Sequence, residues 1–210
     1  MKDFSIAMAI VDYIPVLFFL CAVIVLQRDL YNKMSKGAFA LFAAGTINVF
    51  VAGALKATYK LLYAANICDF EPLNAMFFPV QSIGFLLAGI AMIAMLFFKQ
   101  SKGASVLSVA PALWKGTFLF VGLMIAGLGC IDGGLCYLSA KLKKPLAVTL
   151  FILSFICSLC MGYLSSRDFA QASMNWIAEG VNVVGQGCFL IGTLILHKAG
   201  LADYKLPCKK

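Results

Sequence analysis

Residues 5–26, SIAMAIVDYIPVLFFLCAVIVL, hold one charged side chain, Asp12, in 22 positions. A helix of about 20 mainly apolar residues crosses roughly 30 Å of hydrocarbon, so this stretch is long enough to span a bilayer. It is too long for the hydrophobic region of a secretory signal. Lys2 beside Asp3 makes a weak basic start, and Gln27, Arg28 and Asp29 follow where small cleavage-site residues would stand. The expectation is a retained first transmembrane helix.

The same pattern recurs along the chain. Segments 37–63, 73–98, 116–138, 145–165 and 174–196 are comparably long and apolar, which makes six spans. Connectors 28–36, 66–72, 99–102, 141–145 and 166–173 collect the polar and helix-breaking residues. Across all 210 residues, 62% are hydrophobic, 12% are charged and the mean hydropathy is +0.95. Soluble domains carry about a quarter charged residues, so this chain has too little polar surface to face water all round. The fold class is an all-α polytopic transmembrane helix bundle forming a single integral membrane domain, 1–210, in contact with the lipid bilayer. A multi-pass cell-membrane location follows as an expectation.

The net charge of +8 lies in short connectors, as juxtamembrane Lys and Arg do beside anionic lipid. No basic stripe interleaved with aromatics points to nucleic acid. Six of the eight cysteines (Cys21, Cys130, Cys136, Cys157, Cys160 and Cys188) sit in apolar runs, where a thiol packs as a small hydrophobe. Only Cys68 and Cys208 fall in connectors, so no disulfide framework is expected.

Segment 103–114 is apolar but short and contains Pro111. It reads as a re-entrant segment, or as a short seventh crossing buried among the others. Charge favours a crossing. With six spans and the N-terminus outside, 7 of the 17 basic residues face the cytosol, whereas a seventh crossing places 12 there. An internal similarity points the same way. Leu41, Phe42, Gly53 and Leu55 match Leu150, Phe151, Gly162 and Leu164 at an offset of 109. Asn74, Val80, Gly84 and Ile90 match Asn175, Val181, Gly185 and Ile191 at an offset of 101, with Gln81 opposite Asn182. The chain then reads as a three-helix half (5–98), a linker or short helix (99–115), a second three-helix half (116–196) and a basic tail (197–210). This 3+1+3 layout is that of parallel-repeat transporters.

An ionisable group in hydrocarbon costs about 2.5–3.5 kcal/mol by insertion scales, so each one inside a span is a functional candidate. The set is Asp12, Lys56, Asp132 and Glu179, with the amides Asn48, Gln81, Asn182 and Gln186. Glu179, Asn182 and Gln186 recur at i, i+3 and i+7, one face of the last helix. That stripe needs a protein interior or a wet cavity; interhelical hydrogen bonding is the bland alternative. Lys56, Lys60 and Tyr63 share a face of the second helix. Snorkelling to the headgroups is the expectation for Lys60, while Lys56, one turn deeper, can pair with Glu179 or Asp12. Seven crossings bring Asp12, Lys56, Gln81, Glu179 and Asn182 into the same half of the membrane. Six crossings send Glu179 to the opposite side. Asp132, in Gly129-Cys-Ile-Asp-Gly-Gly134, is either a cation or proton site or a carboxylate hydrated near a helix end.

No complete catalytic set is present. The single histidine, His197, is an interfacial residue and excludes bis-His haem and HExxH zinc sites from this chain alone. The Cys157-Ser-Leu-Cys160 pair lies mid-span with no polar group to stabilise a thiolate. No cofactor or metal is expected. The leading expectation is a small transporter or solute-binding membrane protein whose intramembrane site takes a small solute or cation. The alternative is a non-catalytic receptor, sensor or complex subunit with an unidentified protein partner, and a membrane thiol oxidoreductase trails both.

Overall fold

The computed structural model describes residues 5–98, 117–164 and 172–206. They form eight helices: α1 (Ile6–Val11), α2 (Tyr13–Leu30), α3 (Lys36–Ala64), α4 (Glu71–Ala75), α5 (Phe77–Phe97), α6 (Thr117–Lys141), α7 (Pro145–Leu164) and α8 (Ala172–Lys198). Taking α1 with α2 and α4 with α5 leaves six helices long and apolar enough to cross a membrane. Their outward faces carry large apolar side chains such as Ile24, Ile47, Ile93, Leu146, Ile152 and Ile191. Such a surface is stable only against lipid.

Both short breaks have one cause. The helix is interrupted at Asp12, three residues before Pro15, and at Met76, three residues before Pro79. Proline has no N–H to give the carbonyl four residues back, and its ring crowds that carbonyl. The orphaned positions are Val11 and Ala75, and in each case the helix breaks at the next residue. The first break sets Asp12 at a bend near one end of the bundle.

Ends are closed by local signals. Ser5 and Ser35 cap α1 and α3 by accepting from the Met8 and Ala38 amides at 3.1 and 3.2 Å. After α8, Gly200 takes φ +81°, the Leu201 amide donates to the Leu196 carbonyl, and Leu201 is buried. This is the left-handed termination that glycine permits. It turns the following residues back against the bundle, where Lys33 Nζ donates to the Ala202 and Tyr204 carbonyls at 2.8 and 2.7 Å. Burial there lowers the Lys33 pKa, against the pull of Asp203 and Asp29. On the same face His197 Nδ1 lies 2.9 Å from Asp29 Oδ2, tying the end of α8 to the end of α2. The first helix thus runs on to Leu30, past the 5–26 expected from hydropathy, because His197 gives Asp29 a partner inside the bundle.

The helices close a ring in which α2 packs on α3, α3 on α5, α5 on α6, α6 on α7, α7 on α8, and α8 on α2. Small residues set the closest approaches. A Cβ on Gly45 would lie 2.5 Å from the Gly84 carbonyl oxygen, and one on Gly89 would lie 2.8 Å from that of Gly127. On the α7–α8 contact, a Cβ on Gly185 would lie 2.8 Å from Cys157 Cβ.

These contacts give each helix its direction. Gly127 of α6 lies against Phe85 and Gly89 of α5, and Gly134 lies against Met92, so numbering rises together and α5 and α6 are parallel. Gly185 against Cys157 and Gly192 against Phe151 make α7 and α8 antiparallel. Parallel α5 and α6 leave Phe97 and Thr117 at opposite ends of the bundle. The candidate crossing 103–114 lies outside the described residues. One face, the basic face, gathers Lys33, Lys36, Lys141, Lys143, Lys144, Lys198 and Lys205. The other carries Cys68, Asp69 and Glu71.

This arrangement fixes an expected labelling result. In a chain with Cys208 replaced by Ser, a membrane-impermeant maleimide on intact cells will label the exposed Cys68. A Lys143→Cys variant will gain label only after permeabilisation, because the positive-inside rule puts the basic face in the cytosol. Equal labelling of both positions in intact cells would contradict the helix directions.

Candidate functional site

The ring encloses a cavity of about 780 Å³ in the half of the bundle away from the basic face. Its volume lies within the roughly 300–1,000 Å³ usual for small-molecule pockets. Phe19 and Phe85, 6.1 Å apart edge to face, lie at its floor. Phe19 stacks on Phe189 at 6.0 Å, and Phe189 meets Phe151 at 5.9 Å. Below these rings, Leu26, Leu30, Met92, Leu135, Leu138 and Leu196 are buried, closing the bundle toward the basic face.

The walls bring six of the eight residues singled out from the sequence to one place: Asp12 from the α1–α2 bend, Lys56 from α3, Gln81 from α5, and Glu179, Asn182 and Gln186 from α8. The i, i+3, i+7 stripe of α8 faces inward as the helical period requires. Asp132 does not join them. It lies in α6, buried, and both its carboxylate oxygens lack a hydrogen-bond partner among the described residues. Asn48 is half-buried and off the cavity wall.

The centre of the site is a residue the sequence reading assigned to the membrane surface. Lys60 is 7% exposed, and its Nζ lies 2.6 Å from Glu179 Oε1 and 3.0 Å from Asp12 Oδ2. An amine near a helix end extends to the headgroups when nothing holds it; here two carboxylates from different helices do. Asp12 and Glu179 are themselves 7% and 4% exposed. Lys56, expected to take that pairing, instead rests its ammonium 4.0 Å from the centroid of Phe77 and 5.9 Å from that of Phe78. One helical turn exchanges the two roles, and sequence spacing does not say which amine meets the acids.

Further residues complete the wall. Tyr59 donates its hydroxyl to Asp69 Oδ1 at 3.0 Å, and Asn74 and Asn175 face the cavity from α4 and α8. Their only trace in the sequence is the 101-residue match between the two asparagines. Outside the cavity, Tyr13 and Thr58 share a hydrogen bond of 2.8 Å and Gln27 donates to Thr46 at 2.9 Å, pinning α2 to α3 on either side of the site.

Among the described residues no group of three His, Cys, Asp or Glu is placed to hold a metal ion. Cys157 packs against Gly185, while Cys160 is exposed. No protein-family model, curated protein or solved structure matches the chain.

Proposed function

We propose that this chain is a small membrane transporter or solute-binding membrane protein whose solute site is the cavity around Lys60. The observation that carries the reading is a charged trio buried within apolar helices at the wall of a sizeable cavity. Burying an ion among hydrocarbon is unfavourable by several kcal/mol unless it is well paired. A packed apolar core would have served stability alone, so a polar cavity at this depth calls for a role in handling a solute.

Two related three-helix halves support a transport mechanism. At the 101-residue offset, Asn74, Phe77, Phe78, Gln81 and Phe85 correspond to Asn175, Ala178, Glu179, Asn182 and Gln186, and all ten face the cavity. At the 109-residue offset, Pro15 and Phe19 correspond to Met124 and Leu128, which also face it. Packing follows the same rule. Gly84 lies on Gly45, Gly185 lies nearest Cys157 and Ser154, and 45 and 154 are one offset apart. The α5–α6 and α8–α2 contacts are the equivalent seams between halves. Rocking of one half against the other about the cavity is the motion such a layout permits. In that motion the phenylalanine floor and the His197–Asp29 and Lys33 contacts would part, admitting the solute to the basic face.

The test compares small-molecule pools of cells expressing the native chain with those of cells expressing Glu179→Gln at equal membrane level. At least one solute is expected to accumulate or deplete several-fold with the native chain only. Indistinguishable pools would remove the assignment.

A further inference from the structure

The charge and hydrogen-bonding pattern of the cavity wall identify the class of solute, on the reading that the cavity is a solute site. We infer that it takes a protonated amine carrying an apolar body, with the ammonium on the Asp12–Glu179 carboxylates and the body over the Phe77 and Phe78 rings.

Three independent observations carry this. The first is what remains unpaired. Among the described residues Glu179 Oε2 and Gln186 Oε1 are buried without a hydrogen-bond partner, Asp12 Oδ2 has only the Lys60 ammonium, and all three residues face the cavity. Every one of these atoms is an acceptor. Buried polar atoms in folded proteins are almost always satisfied, so acceptors alone on one wall call for a donor from the occupant. A protonated amine has up to three N–H donors and no acceptor, the complement of this wall.

The second is charge. Lys60 faces two carboxylates, leaving that trio one positive charge short. Counting all the charged residues of the wall, Asp12, Asp69 and Glu179 outnumber Lys56 and Lys60 by one, with Asp69 at the exposed rim. A cation brings the wall to neutrality, and an anion would double the imbalance in a medium that penalises net charge.

The third is the position of Lys56. Its ammonium has no carboxylate within ion-pair distance among the described residues and lies over the Phe77 ring instead. Ring faces attract ammonium groups and alkylated cations within about 6 Å. Lys56 therefore marks a cation-attracting aromatic surface inside the cavity, held by a tethered amine that an entering amine can displace toward the open end.

The experiment uses the purified full chain in lipid nanodiscs and three naphthalene probes of one shape, 2-naphthylmethylammonium, 2-naphthoate and 2-naphthalenemethanol. Affinities come from calorimetry with empty nanodiscs as background. The ammonium is expected to bind at least about tenfold more tightly than either other probe, the size of one charge-assisted hydrogen bond. Glu179→Gln or Asp12→Asn should abolish that preference, each leaving Lys60 one carboxylate partner so that the bundle still assembles. Lys56→Met should keep or strengthen it. Preference for naphthoate, lost in Lys56→Met, would overturn the inference and leave the cavity standing as a solute site. Equal binding of all three probes, or none above background, would also overturn it; if the small-molecule pools are unchanged as well, the transport reading falls with it.

Discussion

Lys60→Met is expected to destabilise the protein by about 3–5 kcal/mol, the usual consequence of removing one partner from a buried ion pair. The ammonium lies within 3.0 Å of both Asp12 and Glu179, and all three side chains are at least nine-tenths buried. Without it, two carboxylates from different helices face each other with no cation between them. The effect will show as a large drop in the thermal midpoint of the detergent-solubilised protein, followed by size-exclusion with a fluorescent tag. The triple variant Asp12→Asn, Lys60→Met, Glu179→Gln removes every charge and should recover most of the loss, since neutral polar or apolar replacements of a whole buried cluster are often tolerated. Binding of solute would not return with stability. A Lys60→Met protein as stable as the native one would mean that water reaches the cluster and that the three charges are not a sealed unit.

The second large effect lies at a seam between helices and involves no charge. Gly127→Ala should destabilise by about 3 kcal/mol, the upper part of the range for overpacking. A Cβ there would collide with the Phe85 carbonyl group and come within 2.6 Å of the Leu86 amide nitrogen. Backbone atoms of α5 cannot rotate aside as a side-chain terminus can, so α5 and α6 must separate along their length. Gly122 and Gly133 sit on the same helix with nothing within 4 Å of an added Cβ. Gly122→Ala and Gly133→Ala should be neutral or slightly stabilising, because alanine loses less backbone freedom in a helix. The same melting measurement ranks the three. Equal midpoints would show that α5 and α6 are not in contact through Gly127.

The membrane bundle was legible from the chain because span recognition depends on length and polarity, both local properties. Six runs without water-compatible surface must be helical, since hydrocarbon leaves backbone groups no partner outside their own segment. Pro15 and Pro79 likewise dictate their helix breaks through a clash four residues back. The inward stripe of α8 followed from the helical period alone. The uneven charge of the connectors pointed to a basic face before any contact was visible.

Pairing across the bundle is a different matter. Whether Lys56 or Lys60 would meet the acids turns on the depth and rotation of α3 relative to α1 and α8, which its packing on α1, α2 and α5 sets. Asp29 looked like the polar end of a span until His197, 168 residues away, proved to lie 2.9 Å from it. The parallel course of α5 and α6 was likewise settled by contacts between Gly127 and Phe85 and between Gly134 and Met92. Local chemistry determined that this chain crosses a membrane as helices and which few side chains would be costly to leave in lipid. Only the tertiary structure decided which of them share a cavity, because an ion pair between helices is set by the depth and rotation at which they pack.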